Sequence, residues 1–312
     1  MLKLIHHLTA FFSKLFYFGP KIAFWFLLDY HKRFFKLNSK RVSEKMHTVI
    51  LNWLNNSFKG FISNYNINHD SNNTNFIPRQ IWICWWDGTE AMPPLVKACY
   101  NSVILHSGEF TVTLITKFNY QEYISLPDYI IKKFNQKKIA IAHLSDIIRM
   151  ALLSKYGGLW LDATILVTKT ISISNSLFFT VKREYGSENV AGRRWTGNCI
   201  GGAPNLFLFR FLLDFFYEYW KKQNKQITYL LIDYSIALAY NIFSEVRNII
   251  DGILPNNTDY MRLCYYLDDE YNSQFFNEIH TDTFFHKLSW KESHHSFTLD
   301  NKITFYGHIL KE

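Results

Sequence analysis

Leu4, Leu8, Phe11, Leu15 and Phe18 recur at helical spacing over residues 2–18, with Phe12 and Phe16 widening the stripe and Lys3, Thr9, Ser13 and Lys14 off it. Gly19-Pro20 then predicts a break, because proline cannot continue a helix it follows into. The next apolar run, Ile22 to Leu28, has seven residues, well short of the roughly 20 that cross a bilayer. Its interruptions, and the lack of a small-residue cleavage site after it, also argue against a cleaved signal peptide. From Asn64 to Asn75 the chain turns Asn-rich with almost nothing to bury. This predicts the boundary between an amino-terminal helical segment, 1–75, and a larger body, 76–312.

In the body, strand-like and helix-like segments alternate. Ile81 to Trp85 reads as a strand, Pro93-Pro94 opens a helix running to Val103, and Phe110 to Ile115 alternates as a second strand. Strand, helix and strand within about 35 residues make a βαβ unit, and ligands bind outside the carboxyl ends of such strands. The loop holding Trp85 and Trp86 is therefore a candidate ligand edge, although either ring alone fits a core role as well. Leu144, Ile147, Ile148, Ala151 and Leu152 mark one buried helix face, which Gly157-Gly158 closes. Leu159-Trp160-Leu161 then delivers Asp162 at a strand's carboxyl end. Arg193 to Gly202 reads as a polar, glycine-rich loop, Phe207 to Trp220 as an aromatic helix, and Ile227 to Ile242 as an apolar helix whose sole carboxylate is Asp233. The expected architecture is a Rossmann-type, mainly parallel sheet flanked by helices, with a helical appendage.

Composition adds two constraints. Among 312 residues, 28 Phe, 19 Tyr and 9 Trp supply ample apolar surface and exclude wholesale disorder. The net charge is +8, and residues 1–50 carry nine basic against two acidic residues, so +7 of it lies there. A nucleic-acid partner would call for a basic patch on the body with groove-reading or base-stacking motifs, and none is visible. The basic, aromatic amino-terminal segment points to an anionic membrane surface or to another copy of the chain, a homo-oligomer contact. Cys84, Cys99, Cys199 and Cys264 are scattered with no C-x-x-C pair, which disfavours a disulfide framework or zinc knuckle and suits a reducing cytoplasm.

Asp146 and Arg149, three apart on one helix, project together, and suit a ribose, sugar hydroxyl or phosphate; Asp162 suits a divalent cation on a diphosphate. Singly, each is an ordinary ion pair or turn former. Their conjunction with the Gly-Gly turn raises their weight. The run S-D-I-I-R followed by K-Y-G-G-L-W-L-D-A-T, with I-P-R-Q-I-W-I-C-W-W and P-P-L-V-K-A-C-Y-N-S upstream and I-D-Y and H-K-L-S-W-K downstream, resembles the capsular polysaccharide synthesis glycosyltransferases, DXD-type sugar transferases of the GT-A fold related to initiating mannosyltransferases. The resemblance covers roughly residues 76–292.

That resemblance implies transfer of a hexose, with retention, from a nucleotide sugar such as UDP-galactose or UDP-glucose to a lipid-linked saccharide in bacterial surface-polysaccharide synthesis, on the inner face of the cell membrane. It implies Mn²⁺ or Mg²⁺ held by Asp162, Thr164 and His286. Trp85, Trp86, Asp146, Arg149, Asp162, Ser289 and Trp290 would bind the donor, and Asp162, Asp233 and Lys291 would act in catalysis. One departure matters: the second DXD carboxylate is Thr164, a hydroxyl without charge, which lowers affinity for a hard cation. It motivates one rival reading, a non-catalytic nucleotide- or glycan-binding protein on the same fold; a second rival is a phosphosugar transferase at the same membrane.

Overall fold

Gly19, at φ 87°, and Pro20, at the first helical position, split the amino-terminal apolar run into α1 (Leu2–Phe18) and α2 (Pro20–His31). The computed structural model describes residues 2–32, 36–65, 76–173, 176–183 and 189–311, with backbone alone for 2–7. The boundary expected across the Asn-rich stretch thus falls almost wholly, from residue 66 on, outside the described residues. Asn38 caps α3 (Ser39–Ser57) by accepting from the Arg41 amide, and α4 (Lys59–Ser63) follows.

The body runs β1 (Gln80–Cys84), α5 (Pro94–Leu105), β2 (Thr111–Ile115), α6 (Tyr120–Tyr123), α7 (Asp128–Asn135), α8 (Ile141–Tyr156), β3 (Gly158–Leu161), β4 (Ile165–Val167), β5 (Phe178–Thr180) and β6 (Cys199–Gly202). It continues with α9 (Phe207–Lys222), α10 (Leu231–Ile242), α11 (Ser244–Asp251), α12 (Ser273–Ile279), β7 (Phe285–Lys287) and α13 (Phe305–Ile309). The main sheet has the order β2-β1-β3-β6-β5. β1 pairs in parallel with β2 and β3, whereas β6 runs antiparallel to both its neighbours, β3 and β5. Only β6 is reversed, so the sheet is mainly parallel, as the βαβ pattern predicts. β4 and β7 form a separate antiparallel pair.

β6 corrects the expected loop at 193–202, whose second part is a buried strand. Its glycines serve backbone packing: a Cβ on Gly201 would stand 2.6 Å from the Gly158 carbonyl oxygen of the neighbouring strand. Gly157 and Gly158, at φ 65° and 99°, turn α8 directly into β3. α8 is buried along most of its length and packs on α9, so the sheet face and the aromatic helix share one core with Leu144, Ile148, Leu152, Phe209 and Phe216.

The amino-terminal helices join that core. Ile50, Leu54 and Phe58 are fully buried, each contributing about 1.5–3 kcal/mol by burial. Phe58 stacks on Tyr219 with centroids 5.6 Å apart, His47 Nδ1 lies 2.7 Å from the Tyr234 hydroxyl, and the Tyr65 hydroxyl donates to Asp214 at 2.8 Å. Among the described residues no helix is long and apolar enough to cross a membrane.

Candidate functional site

The carboxyl ends of β1 and β3 and the first half of α8 face one another across the sheet edge, and the charged residues gather there. Arg149, on α8, donates to Asp162 Oδ1 at 2.9 Å and lies 3.2 Å from Asp146 Oδ1, one turn earlier on the helix. Its guanidinium lies over the Trp160 ring, 4.8 Å from the centroid, and also donates to the Gly197 carbonyl. The Trp160 indole N–H donates to the same Asp162 oxygen at 2.9 Å. His143 Nδ1, 3.2 Å from Asp146 Oδ2, braces the other carboxylate. Asp146 and Arg149 are therefore a buried pair, not the exposed ion pair that i, i+3 spacing more often makes. One cation holds two carboxylates in fixed positions. Asp162 is the exposed member: its side chain is 30% accessible, and Oδ2 makes no hydrogen bond among the described residues.

Asp233, in the first turn of α10, joins the group at Gly197, where a Cβ would stand 3.6 Å from Arg149 Nη1 and 3.7 Å from Asp233 Oδ1. Its Oδ1 accepts from the Trp195 indole at 3.1 Å. The residue is half-buried but its carboxyl lies deep, and that burial pushes its pKa up to about 6, with Asp146 and Asp162 adding to the shift and Trp195 and Arg149 opposing it. The Tyr229 hydroxyl lies within the electrostatic reach of Asp146, Asp162 and Arg149. Lys291 Nζ sits 5.4 Å from the Tyr229 ring centroid. Trp290 meets Trp85 edge to face at 5.7 Å. Half-buried Trp85 and exposed Trp290, Tyr229 and Lys291 thus border the site, with Tyr229 the link between Lys291 and the charged group. Such a site can accept hydroxyl hydrogen bonds, hold an anion by an ammonium and flank a planar or sugar ring with indoles.

Not every expected residue arrives. Trp86 packs on Tyr120 and Phe134, with centroids 5.4 and 5.6 Å away, on the side of the helical core. Ser289 is half-buried between Leu288 and Trp290. The Thr164 hydroxyl is engaged by the Lys287 ammonium, which places a cation where a metal ion would need an anion. His286 is fully buried in the β4–β7 pair, with its ring beside Thr168 and His280. Burial, with a push from His280, lowers its pKa to about 3. No group of three or more His, Cys, Asp or Glu side chains among the described residues is arranged to hold a metal. The three-residue set of Asp162, Thr164 and His286 does not fit a metal ion. Of the three, Asp162 alone keeps a carboxylate oxygen, Oδ2, without a hydrogen bond among the described residues.

Sequence reasoning passed over Trp160, Trp195, Gly197, Tyr229 and Lys287. Trp160 reads as part of a short strand and Trp195 as part of a polar loop, and only the fold shows their indole N–H groups aimed at Asp162 and Asp233. Arg194 clamps its own loop by donating to the Ala191 and Val190 carbonyls and stacking over Trp195 and Tyr240. Cys84, beside Ser145, is a protonated thiol whose pKa burial pushes up to about 12.

Comparison with known proteins adds a family. The sequence model of a family described as "Capsular polysaccharide synthesis protein" matches residues 31–309, so the match takes in α3 and α4, which the motif resemblance left out. No curated protein matches the chain. Among solved structures, one titled "PaToxG Glycosyltransferase" is similar at 16% identity and a TM-score of 0.39, over 67% of this chain and 83% of that one. A likeness at that level carries no argument about activity.

Proposed function

The chain belongs to the capsular polysaccharide synthesis protein family, and from that premise we propose that it is a glycosyltransferase, moving a hexose from a nucleotide diphosphate sugar to a lipid-linked saccharide acceptor. The observation that carries the reading is the Arg149-locked pair of Asp146 and Asp162, with Tyr229 in electrostatic reach and Lys291 over the Tyr229 ring. Arg149 is bonded on several sides, so it acts as a positioning residue. Asp146 and Asp162 accept from donor hydroxyls, the two Trp rings flank the donor, and the Lys291 ammonium meets the diphosphate.

The chemical task is to stabilise negative charge developing on the departing diphosphate, and a fixed cation in a partly closed site is the device for it. Lys291 supplies that charge from this chain. A Mg²⁺ or Mn²⁺ ion, which commonly takes one or two carboxylates plus substrate phosphates, would be held by Asp162 and would supply further charge neutralisation. In the retaining course the acceptor's proton leaves on the departing phosphate oxygen. Asp233, whose pKa burial raises to about 6, is mostly ionised at neutral pH and is a proton acceptor beside Asp146 and Asp162.

The test uses a donor carrying label in the hexose, with a membrane extract as the source of lipid-linked acceptor. Label moving into the lipid phase with release of a nucleoside diphosphate is the expected result. Release of a nucleoside monophosphate would assign phosphosugar transfer instead. Donor binding with no turnover would leave the non-catalytic reading, which the Lys287 cap on Thr164 favours.

A further inference from the structure

The α1–α2 hairpin has two faces that its helical spacing alone does not separate. Phe18 is buried against Trp53, Phe11 and Leu15 are half-buried, and Lys14 reaches across to the Ile227 carbonyl while its ammonium lies 4.4 Å from the Phe26 ring centroid. These contacts fix the hairpin's orientation on the body. The opposite stripe, Leu8, Phe12 and Phe16 at i, i+4 and i+8, faces outward, with Phe12 60% and Phe16 82% exposed. On α2, Phe24 is exposed as well. Phenylalanines so exposed, several on one hairpin, mark an interaction surface.

Charge selects the partner. Lys21, one helical turn from Phe24, is exposed, as are Lys36, Lys40, Arg41 and Lys45 where the chain enters and runs along α3. Glu44 is exposed among them, and Asp29 is engaged by Lys32 at 3.1 Å and by Ser43. A second copy of the chain would bring another +7 segment against this one, so like-charge repulsion opposes a contact between copies. An anionic bilayer offers both an apolar interior for the rings and opposite charge for the lysines. We propose that the outward face of the α1–α2 hairpin docks on an anionic lipid bilayer, lying in its interface without crossing it.

Flotation of the full chain with phosphatidylcholine vesicles, with and without phosphatidylglycerol, tests this without any turnover. The chain is expected to float with the anionic vesicles, to bind neutral ones at least about tenfold more weakly, and to be released by salt. Phe12→Ser/Phe16→Ser/Phe24→Ser, all exposed positions, should lower partitioning by about tenfold or more at an unchanged melting temperature. Lys21→Glu/Lys40→Glu/Lys45→Glu should abolish the preference for anionic lipid. Equal binding to neutral and anionic vesicles would overturn the proposal, as would full binding by the Phe variant. So would a concentration-dependent dimer, seen by sedimentation, that the Phe changes abolish while no chain floats.

Discussion

Arg149 touches Asp162, Asp146, the Gly197 carbonyl and the Trp160 ring at once, so its removal strands one buried and one half-buried carboxylate. Arg149→Ala should lower stability by about 3–5 kcal/mol, the range for breaking a buried ion pair, and should also reduce kcat/KM for the donor. A urea titration beside donor kinetics checks both; stability loss with unchanged kinetics would make the triad purely structural. Asp233 has a folded pKa near 6, raised from 3.8. The folded state therefore binds the extra proton, and stability falls as pH rises from about 4 through 6. Asp233→Asn should remove that fall, on the order of 2–3 kcal/mol at pH 7, read as urea midpoints across pH 4–7. His286 behaves in the opposite sense: with its folded pKa lowered to about 3, it contributes a loss of stability as pH drops below 6.5. His286→Gln should lessen that acid sensitivity and leave the response of donor turnover to Mn²⁺ or Mg²⁺ unchanged. A weaker cation response in this variant would return His286 to the metal site.

The elements that were legible in the sequence are those with a local signal. α8 shows an apolar face ended by two glycines, β1 and β2 alternate or run apolar between turn residues, and Gly19-Pro20 cuts α1 from α2. Asp146, Arg149 and Asp162 were legible for the same reason, since helix spacing and a strand end place them without knowledge of the rest. β4, β5 and β7 have three residues each, too few for a period, and β6 reads as a loop because its two glycines signal flexibility where the fold uses their small size. His286 and Thr164 share the β4–β7 neighbourhood, a pairing that separates them by more than a hundred residues of chain and that no local pattern reports. Glycine packing gives a prediction at this scale. Gly158 has φ 99° and a Cβ there would stand 2.6 Å from the Gln80 carbonyl oxygen in the adjacent strand, so Gly158→Ala should destabilise the protein by about 2 kcal/mol or more. An unchanged urea midpoint would show that β1 and β3 can separate to admit a methyl group.

Across the whole molecule, charge and chemistry are divided: the first 50 residues hold +7 of the +8, while the Asp162 group lies at the sheet's carboxyl edge. The division does not follow a break in packing, because α3 and α4 share the body's core through Ile50, Leu54, Phe58 and Ile62, and the family match likewise begins at residue 31. Cutting the chain at residue 50 would therefore remove most of α3 and uncover Tyr234, whose hydroxyl His47 meets, so loss of activity in such a fragment would report unfolding. Sugar transfer at the Arg149-locked carboxylates, with Trp85, Trp290 and Lys291 beside them, is best tested on the full chain by nucleoside diphosphate release from a panel of nucleotide sugars, with Asp162→Asn alongside. The native chain is expected to hydrolyse one donor slowly, and the variant about 100-fold or more slower when both are assayed well below the variant's own melting temperature. Equal turnover by the two proteins, or no diphosphate released from any donor, would contradict it.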